Sequence, residues 1–105
     1  MTKSIKDRQT ERMVFGEHVK FHAPHNCEGI CHDISAKGMG VTLKNPMTPG
    51  DMVEVEVFEG KVTIFGVVRW CLPQNGTYQV GILFKDEDWA VVEMVRGFQE
   101  EIKPK

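Results

Sequence analysis

The sequence predicts an all-β domain closed by a C-terminal helix: six antiparallel strands in a small barrel or sandwich, followed by one amphipathic α-helix. Three observations carry this. Apolar residues alternate with polar or small ones through most of the stretch from Met13 to Phe84, the period of half-buried strands. Turn signals divide that stretch at 8–12-residue intervals, the spacing of small antiparallel barrels and sandwiches. At Asp86 the period changes, and Trp89, Val92, Val95, Phe98 and Ile102 recur at steps of three and four, which defines one helical face.

In chain order, residues 1–12 are polar and aperiodic and are expected to form a flexible basic N-terminal arm, leaving 13–105 for the barrel and helix. The first strand places Met13, Phe15, Val19 and Phe21 on one face, with Glu17 interrupting it, and ends at Ala23-Pro24-His25-Asn26. The second runs from about Glu28 to Ser35 with Ile30 and Ile34 inward. The third runs from Met39 to Leu43 with Met39, Val41 and Leu43 inward. Two prolines and a glycine between Asn45 and Asp51 prohibit a regular ladder there. Val53, Val55 and Val57 alternate with Glu54 and Glu56, and Glu59-Gly60-Lys61 turns the chain. Val62, Ile64, Val68 and Trp70 continue inward, with Gly66 marking a bulge or bend. Asn75-Gly76, in the turn from Pro73 to Gly76, is a favoured hairpin dipeptide, and Tyr78, Val80, Ile82 and Phe84 form the last inward set. Closure into a barrel would remove exposed sheet edges. The helix is expected over about 86–103, with Asp86 as N-cap and Glu87 and Asp88 favourable to the positive dipole end. Gly97 costs that helix about 1 kcal/mol relative to alanine, which implies a close packing contact. The helix is expected to cover one barrel mouth, with a dimer surface as second choice.

Length and charge narrow the function. A chain of 105 residues is one domain with one core. No apolar run approaches the roughly 20 residues of a membrane span, and Met1–Lys6 lacks a signal-peptide core, so the expected location is the cytoplasm. A net charge of −2 argues against a nucleic-acid polymer as partner. Residues 1–12 differ: Lys3, Lys6, Arg8 and Arg12 against Asp7 and Glu11 leave +2, which suits one small anion better than a polymer. A solvated terminus is the plainer reading of the same charge.

Three cysteines, Cys27, Cys31 and Cys71, are an odd count and read as reduced thiols. His22, His25 and His32 gather near two of them and invite a zinc site. The spacing lacks a Cys-x-x-Cys pair, however, and strand alternation aims Cys31 and His32 to opposite faces, so no metal is assigned. No Ser-His-acid or paired-carboxylate pattern can be placed in one pocket, and the chain does not read as an enzyme.

Two short patterns remain. Arg8-x-x-x-Arg12 supplies two guanidiniums four residues apart. Asp33-x-Ser35-x-x-Gly38 supplies an acid and a hydroxyl on one strand face, with Ile34 on the other, before a turn holding Gly38 and Gly40. In this order, on six strands and a helix, the chain resembles the PilZ domain family. Gly66-Val67-Val68-Arg69-Trp70 and Tyr78–Phe84 are similar to that family's late strand pair, and the resemblance runs from about residue 8 into the helix.

The resemblance implies a six-stranded antiparallel β-barrel with one helix and a receptor for cyclic di-GMP, a bacterial second messenger, needing no cofactor. It implies Arg8, Arg12, Asp33, Ser35 and Gly38 as ligand-binding residues. The chemistry agrees: arginine forks suit guanine O6/N7 and phosphate, and the all-donor N1–H/N2–H₂ edge of guanine needs an acceptor such as Asp33. Ser35 would donate to phosphate, and the backbone at Gly38 would approach it. Trp70 is added as a stacking wall worth about 1–3 kcal/mol, although alternation also makes it a core residue. Asp33 and Ser35 alternatively cap their own turn, and Arg12 alternatively pairs with Glu11 or Glu17. Asp7 stands where PilZ domains that bind paired ligands carry a base, which favours one ligand per chain. The implied mechanism is an ordering switch, in which the arm clamps the ligand and alters contacts with an unidentified downstream protein in motility, biofilm or exopolysaccharide control. The expected state is monomer or weak homodimer. A PilZ-like adaptor without nucleotide and a receptor for a related adenine-containing cyclic dinucleotide are the alternatives.

Overall fold

The computed structural model describes residues 13–102. Six strands and one helix follow in order: β1 (Met13–Ala23), β2 (Cys27–Ile34), β3 (Gly38–Leu43), β4 (Met52–Val57), β5 (Val62–Gln74), β6 (Thr77–Phe84) and α1 (Trp89–Ile102). The strands close into an antiparallel barrel in the order β1-β2-β3-β6-β5-β4. β1 pairs with β2 on one side and β4 on the other, which completes the ring.

The period-two pattern fills the barrel. Val19 and Phe21, Met39, Val41 and Leu43, Val53, Val55 and Val57, Ile64 and Val68, and Val80, Ile82 and Phe84 are all buried. Burying a side chain of this kind is worth about 1.5–3 kcal/mol, so this pattern is the main stabilising term. Val91 and Val95 of α1 join the same core and attach the helix to the barrel. Met39 and Met47 are also buried, while Met52 is exposed.

Register shifts mark where the alternation fails. They fall between Val14 and Glu17 and between Phe21 and Ala23 of β1, between Cys31 and Asp33 of β2, and between Val68 and Trp70 of β5. An extra residue reverses which face the following side chains occupy. In β2, Cys31 is therefore the inward residue before the shift and Ile34 after it; Ile30, expected inward, is 40% exposed. In β5 the bulge lies at Arg69 rather than at Gly66, and Trp70 turns outward with 45% of its surface exposed. Gly66 stays in register between Val53 and Phe84, where an added Cβ would lie 2.5 Å from the Leu83 carbonyl oxygen.

The turns follow local chemistry. Asn75 (φ 52°) and Gly76 (φ 84°) make the two-residue left-handed hairpin turn that Asn-Gly favours. β5 consequently runs to Gln74, and Pro73 lies inside its final rungs, opposite Tyr78. At the other hairpin, Phe58, Glu59 and Gly60 all take positive φ.

The helix begins later than expected. Asp88, not Asp86, is its cap: the Val91 N–H donates to Asp88 Oδ1 at 3.0 Å, a contact worth about 1 kcal/mol. The buried stripe is Val91, Val92 and Val95, whereas Trp89 is 44% exposed. Among the described residues, nothing outside the helix's own backbone lies within 4 Å of a Cβ built on Gly97, so none of them makes the close packing contact expected there. The side chains of Met13, Phe15, Phe98 and Ile102 fall outside the described residues.

Candidate functional site

Strand register brings the sequence motif and the late strand pair together on the outer barrel wall. Asp33 pairs with Gly40, Gly40 with Gly81, and Gly81 with Trp70, one continuous row across β2, β3, β6 and β5. The neighbouring row is Ile30, Thr42, Gln79 and Leu72. On the other side stand Gly38, Leu83, Val67 and Met52.

The two central glycines leave a backbone floor, and each is overlain by the side chain of its paired neighbour. A Cβ on Gly40 would sit 3.2 Å from Asp33 Oδ1, so the carboxylate lies over that glycine. A Cβ on Gly81 would come within 2.2 Å of the Trp70 indole, at the ring edge carrying Nε1. Carboxylate and indole thus stand over adjacent paired residues. Around them opens a groove of about 450 Å³ whose lining includes His32, Asp33, Lys37, Arg69, Trp70 and Gln79. One carboxylate beside Lys37 and Arg69 suits an anion that also presents a hydrogen-bond donor edge.

The bulges produce this arrangement. Without the shift at Arg69, Trp70 would continue the inward series of Ile64 and Val68; with it, the ring turns onto the wall. The shift beside His32 likewise leaves Asp33 half-buried at the surface while Ile34 is fully buried.

Ser35 is placed differently from the expectation. It follows the end of β2, is 1% exposed, and does not share a face with Asp33. Its hydroxyl accepts from the Lys37 N–H at 3.2 Å and donates to the Gly38 carbonyl at 3.4 Å, and its own N–H donates to that carbonyl at 2.8 Å. The turn is also fastened to its surroundings: the Phe84 N–H donates to the Lys37 carbonyl at 2.7 Å, and the Asp88 N–H to the Ala36 carbonyl at 2.8 Å. Lys37 Nζ faces Glu87 at 3.8 Å, an exposed pair of small energetic weight. Ser35 is therefore built into the support beneath Asp33. Gly38 lines the groove, but its missing side chain serves packing, because a Cβ there would lie 2.3 Å from the Ile82 carbonyl oxygen.

Of the six residues proposed from sequence, the structure brings Asp33, Gly38 and Trp70 together and buries Ser35 below them. Arg8 and Arg12 lie outside the described residues. Arg69, Lys37, His32 and Gln79 also line the groove and were not assigned. The signal for Arg69 and Lys37 was adjacency, to Trp70 and to Gly38. His32 and Gln79 meet only through strand register, which no local motif reveals.

A second groove of about 490 Å³ lies beyond Thr42, among Cys27, Glu28, Ile30, Lys44 and Thr77. Burial pushes the Cys27 thiol up from its ordinary value. Cys27, Cys31 and Cys71 form no disulfide among the described residues. The histidines near them have separate surroundings: His22 Nε2 meets Glu56 at 2.7 Å, while His32 Nε2 meets Thr42 Oγ1. Cys31 is buried and its thiol donates to the Asp33 carbonyl at 3.3 Å. Among the described residues no group of three or more His, Cys, Asp or Glu side chains is placed to hold a metal ion. Among the same residues, no helix is long and apolar enough to cross a membrane.

Comparison with known proteins agrees with this architecture. No curated protein matches the chain. Among solved structures, the inhibitor of motility MotI/DgrA of Bacillus subtilis superposes with a TM-score of 0.70 at 15% identity, over 92% of this chain and 53% of that one. MrkH of K. pneumonia in complex with c-di-GMP gives 0.64 at 18% identity, over 90% of this chain and 52% of that one. The same protein in its apo state gives 0.61 at 16% identity, over 89% and 53%. The chain spans about half the length of these solved proteins, and at such identities the likeness is one of fold. The family profile of the PilZ domain matches residues 6–97, nearly the whole chain, and the chain belongs to that family.

Proposed function

We propose that the chain is a receptor for cyclic di-GMP that acts on other proteins by binding rather than by catalysis. The observation that carries this reading is the row Asp33-Gly40-Gly81-Trp70. It sets a carboxylate acceptor and an aromatic face side by side over a side-chain-free floor, with Lys37 and Arg69 at the rim. The acceptor matches the donor edge of guanine, the indole offers a stacking surface, and the cations suit phosphate. PilZ membership and the likeness to MrkH, solved with c-di-GMP, support the same ligand.

Arg8 and Arg12 complete the proposed site through covalent reach. β1 enters the barrel beside the motif, since Met13 pairs with Ile34 and Val14 with Asp33. Arg12 is two residues before Val14 and so is within about 7 Å of it along the chain; Arg8 is within about 20 Å. Both guanidiniums are thus within covalent reach of a ligand held at Asp33. Binding would order this arm over the groove and change what the protein contacts, the charge-assisted bonds exceeding the entropy lost. Ser35 would act by fixing the turn that carries Asp33 and Gly38. Control of motility or biofilm through a downstream protein, and a cytoplasmic location, belong to this proposal.

Calorimetry with cyclic di-GMP tests it. The wild-type chain is expected to bind one molecule. Arg8→Ala and Arg12→Ala should each weaken binding at least about tenfold, since each removes charge-assisted bonds of about 1.5–3 kcal/mol, without moving the melting temperature. Affinity that survives both changes contradicts the clamp, and two molecules per chain contradicts the single-ligand site.

A further inference from the structure

The barrel closes, but β5 outruns β4. The last rung between them is Met52–Val67. Two loop bonds follow it: the Gly50 N–H donates to the Val68 carbonyl at 2.8 Å, and the Val68 N–H donates to the Asp51 carbonyl at 2.9 Å. β5 nevertheless continues to Gln74, paired with β6 alone. Among the described residues no other backbone bond reaches this extension from the β4 side. Its residues are exposed except Cys71, which is half-buried. The extension is therefore an open strand edge, the feature that closure removes from the rest of the sheet.

Local chemistry limits what can pair with it. In a two-residue hairpin the residues flanking the turn exchange their backbone bonds, and bonded and unbonded pairs alternate from there. Gln74, Leu72 and Trp70 thus bond across to Thr77, Gln79 and Gly81, while Cys71 and Pro73 turn their backbone groups to the open side. Pro73 has no N–H to give, so Cys71 is the residue that offers the edge both a donor and an acceptor. Trp70 and Leu72, 45% and 58% exposed, project from the outer wall on either side of it. No side chain from Trp70 to Gln74 is charged.

This layout is self-complementary. A second copy laid antiparallel about a two-fold axis at Cys71 exchanges both backbone bonds between the two Cys71 residues. The same register sets Trp70 of each copy opposite Leu72 of the other, an aromatic–aliphatic pair on one sheet face. A strand from another protein takes the same backbone bonds, but the match of Trp70 with Leu72 at equal offsets from Cys71 is supplied by this chain itself. The shift at Arg69 and the proline at 73 bound the edge, and a two-fold contact uses it up on both copies, so pairing stops at a dimer.

We propose that the chain forms a two-fold dimer by joining the open ends of β5 edge to edge, centred on Cys71, with Trp70 and Leu72 as the contact pairs. The shared edge is short, so the dimer is weak and depends on concentration. The inference goes beyond the nucleotide reading and does not depend on it. Because Trp70 also lines the groove, the two grooves of a dimer open side by side on one continuous wall.

Sedimentation velocity of the full chain without ligand, over a series reaching millimolar concentration, tests it for wild type, Leu72→Asp and Pro73→Thr. Thermal melts verify that both variants fold. Wild type should pass from monomer to dimer as concentration rises. Leu72→Asp sets a carboxylate against an indole twice per dimer and should weaken association by about tenfold or more. Pro73→Thr supplies an edge N–H on each copy and should tighten it by about fivefold. In a mixture of labelled and unlabelled chain, isotope-filtered NOEs should link the Leu72 methyls to the Trp70 indole of the other copy. A chain that stays monomeric throughout, its edge covered by its own residues 1–12 or kept for a different protein, overturns the proposal. A dimer that neither substitution changes uses another face and overturns it equally.

Discussion

Asp33→Asn is expected to lower cyclic di-GMP affinity about 10- to 100-fold while the barrel melts as before. The carboxylate lies over Gly40 on the groove wall, half-buried, where it can accept both N1–H and N2–H₂ of one guanine. Asparagine retains one acceptor and turns the other atom into a donor that faces a donor. Losing a charge-assisted bond of this kind costs about 1.5–3 kcal/mol, which is the stated range of affinity. The same carboxamide can pair with adenine N6 and N7, so the variant should lose less affinity for an adenine-containing cyclic dinucleotide than for cyclic di-GMP. Calorimetry on the two ligands reads both effects, and equal losses would show that Asp33 does not face a base edge.

Gly38→Ala carries the largest expected effect on stability. β3 and β6 approach so closely at this residue that a Cβ would lie 2.3 Å from the Ile82 carbonyl oxygen. The obstacle is backbone and cannot rotate away. Either the Gly38–Leu83 rung opens or the turn from Ser35 shifts, and that turn is bonded to Phe84 and Asp88. A cost on the order of 3 kcal/mol is expected. For a domain of this size the melting temperature should drop by roughly 10–20 °C, and nucleotide binding should weaken with it. Gly97→Ala is the matched control. There the added methyl meets nothing among the described residues within 4 Å beyond its own helix backbone and removes a helix-interior glycine, so it should stabilise the protein by up to about 1 kcal/mol. Thermal melts of the two variants in opposite directions would show that close strand approach, rather than glycine content, sets the first result.

Much of the barrel was legible because burial on one face imposes period two. Val53–Val57, Met39–Leu43 and Val80–Phe84 follow it without interruption, and their inward assignments agree with the structure. The errors lie at residues where one extra residue enters a strand. Ile30 and Trp70 were both assigned inward by simple alternation, and both face outward because of the shifts beside His32 and at Arg69. A bulge has no obligatory residue type when it does not use a left-handed glycine, so the local sequence around Arg69 did not announce it. The same limit applies to the site. Asp33 and Gly38 belong to a motif contiguous in sequence, whereas the Gly40–Gly81 floor and the Thr42–Gln79 pair are set by register between strands about forty residues apart. The hydroxyl of Ser35 was assigned to a phosphate, yet local geometry engages it within the turn, the competing role that serine commonly takes. The helix cap falls two residues after the expected Asp86, because an aspartate at either position can serve as a cap. Burial of Val91 and Val95 selects the later one.

The most direct test of the central claim is an amide and indole NMR titration of the full chain with cyclic di-GMP. The account predicts saturable shifts concentrated at Asp33, Gly40, Gly81 and the Trp70 Nε1–H, with new signals perturbed around Arg8 and Arg12. Shifts confined to the second groove near Cys27 and Thr77, or no shifts at all at saturating ligand, would contradict it.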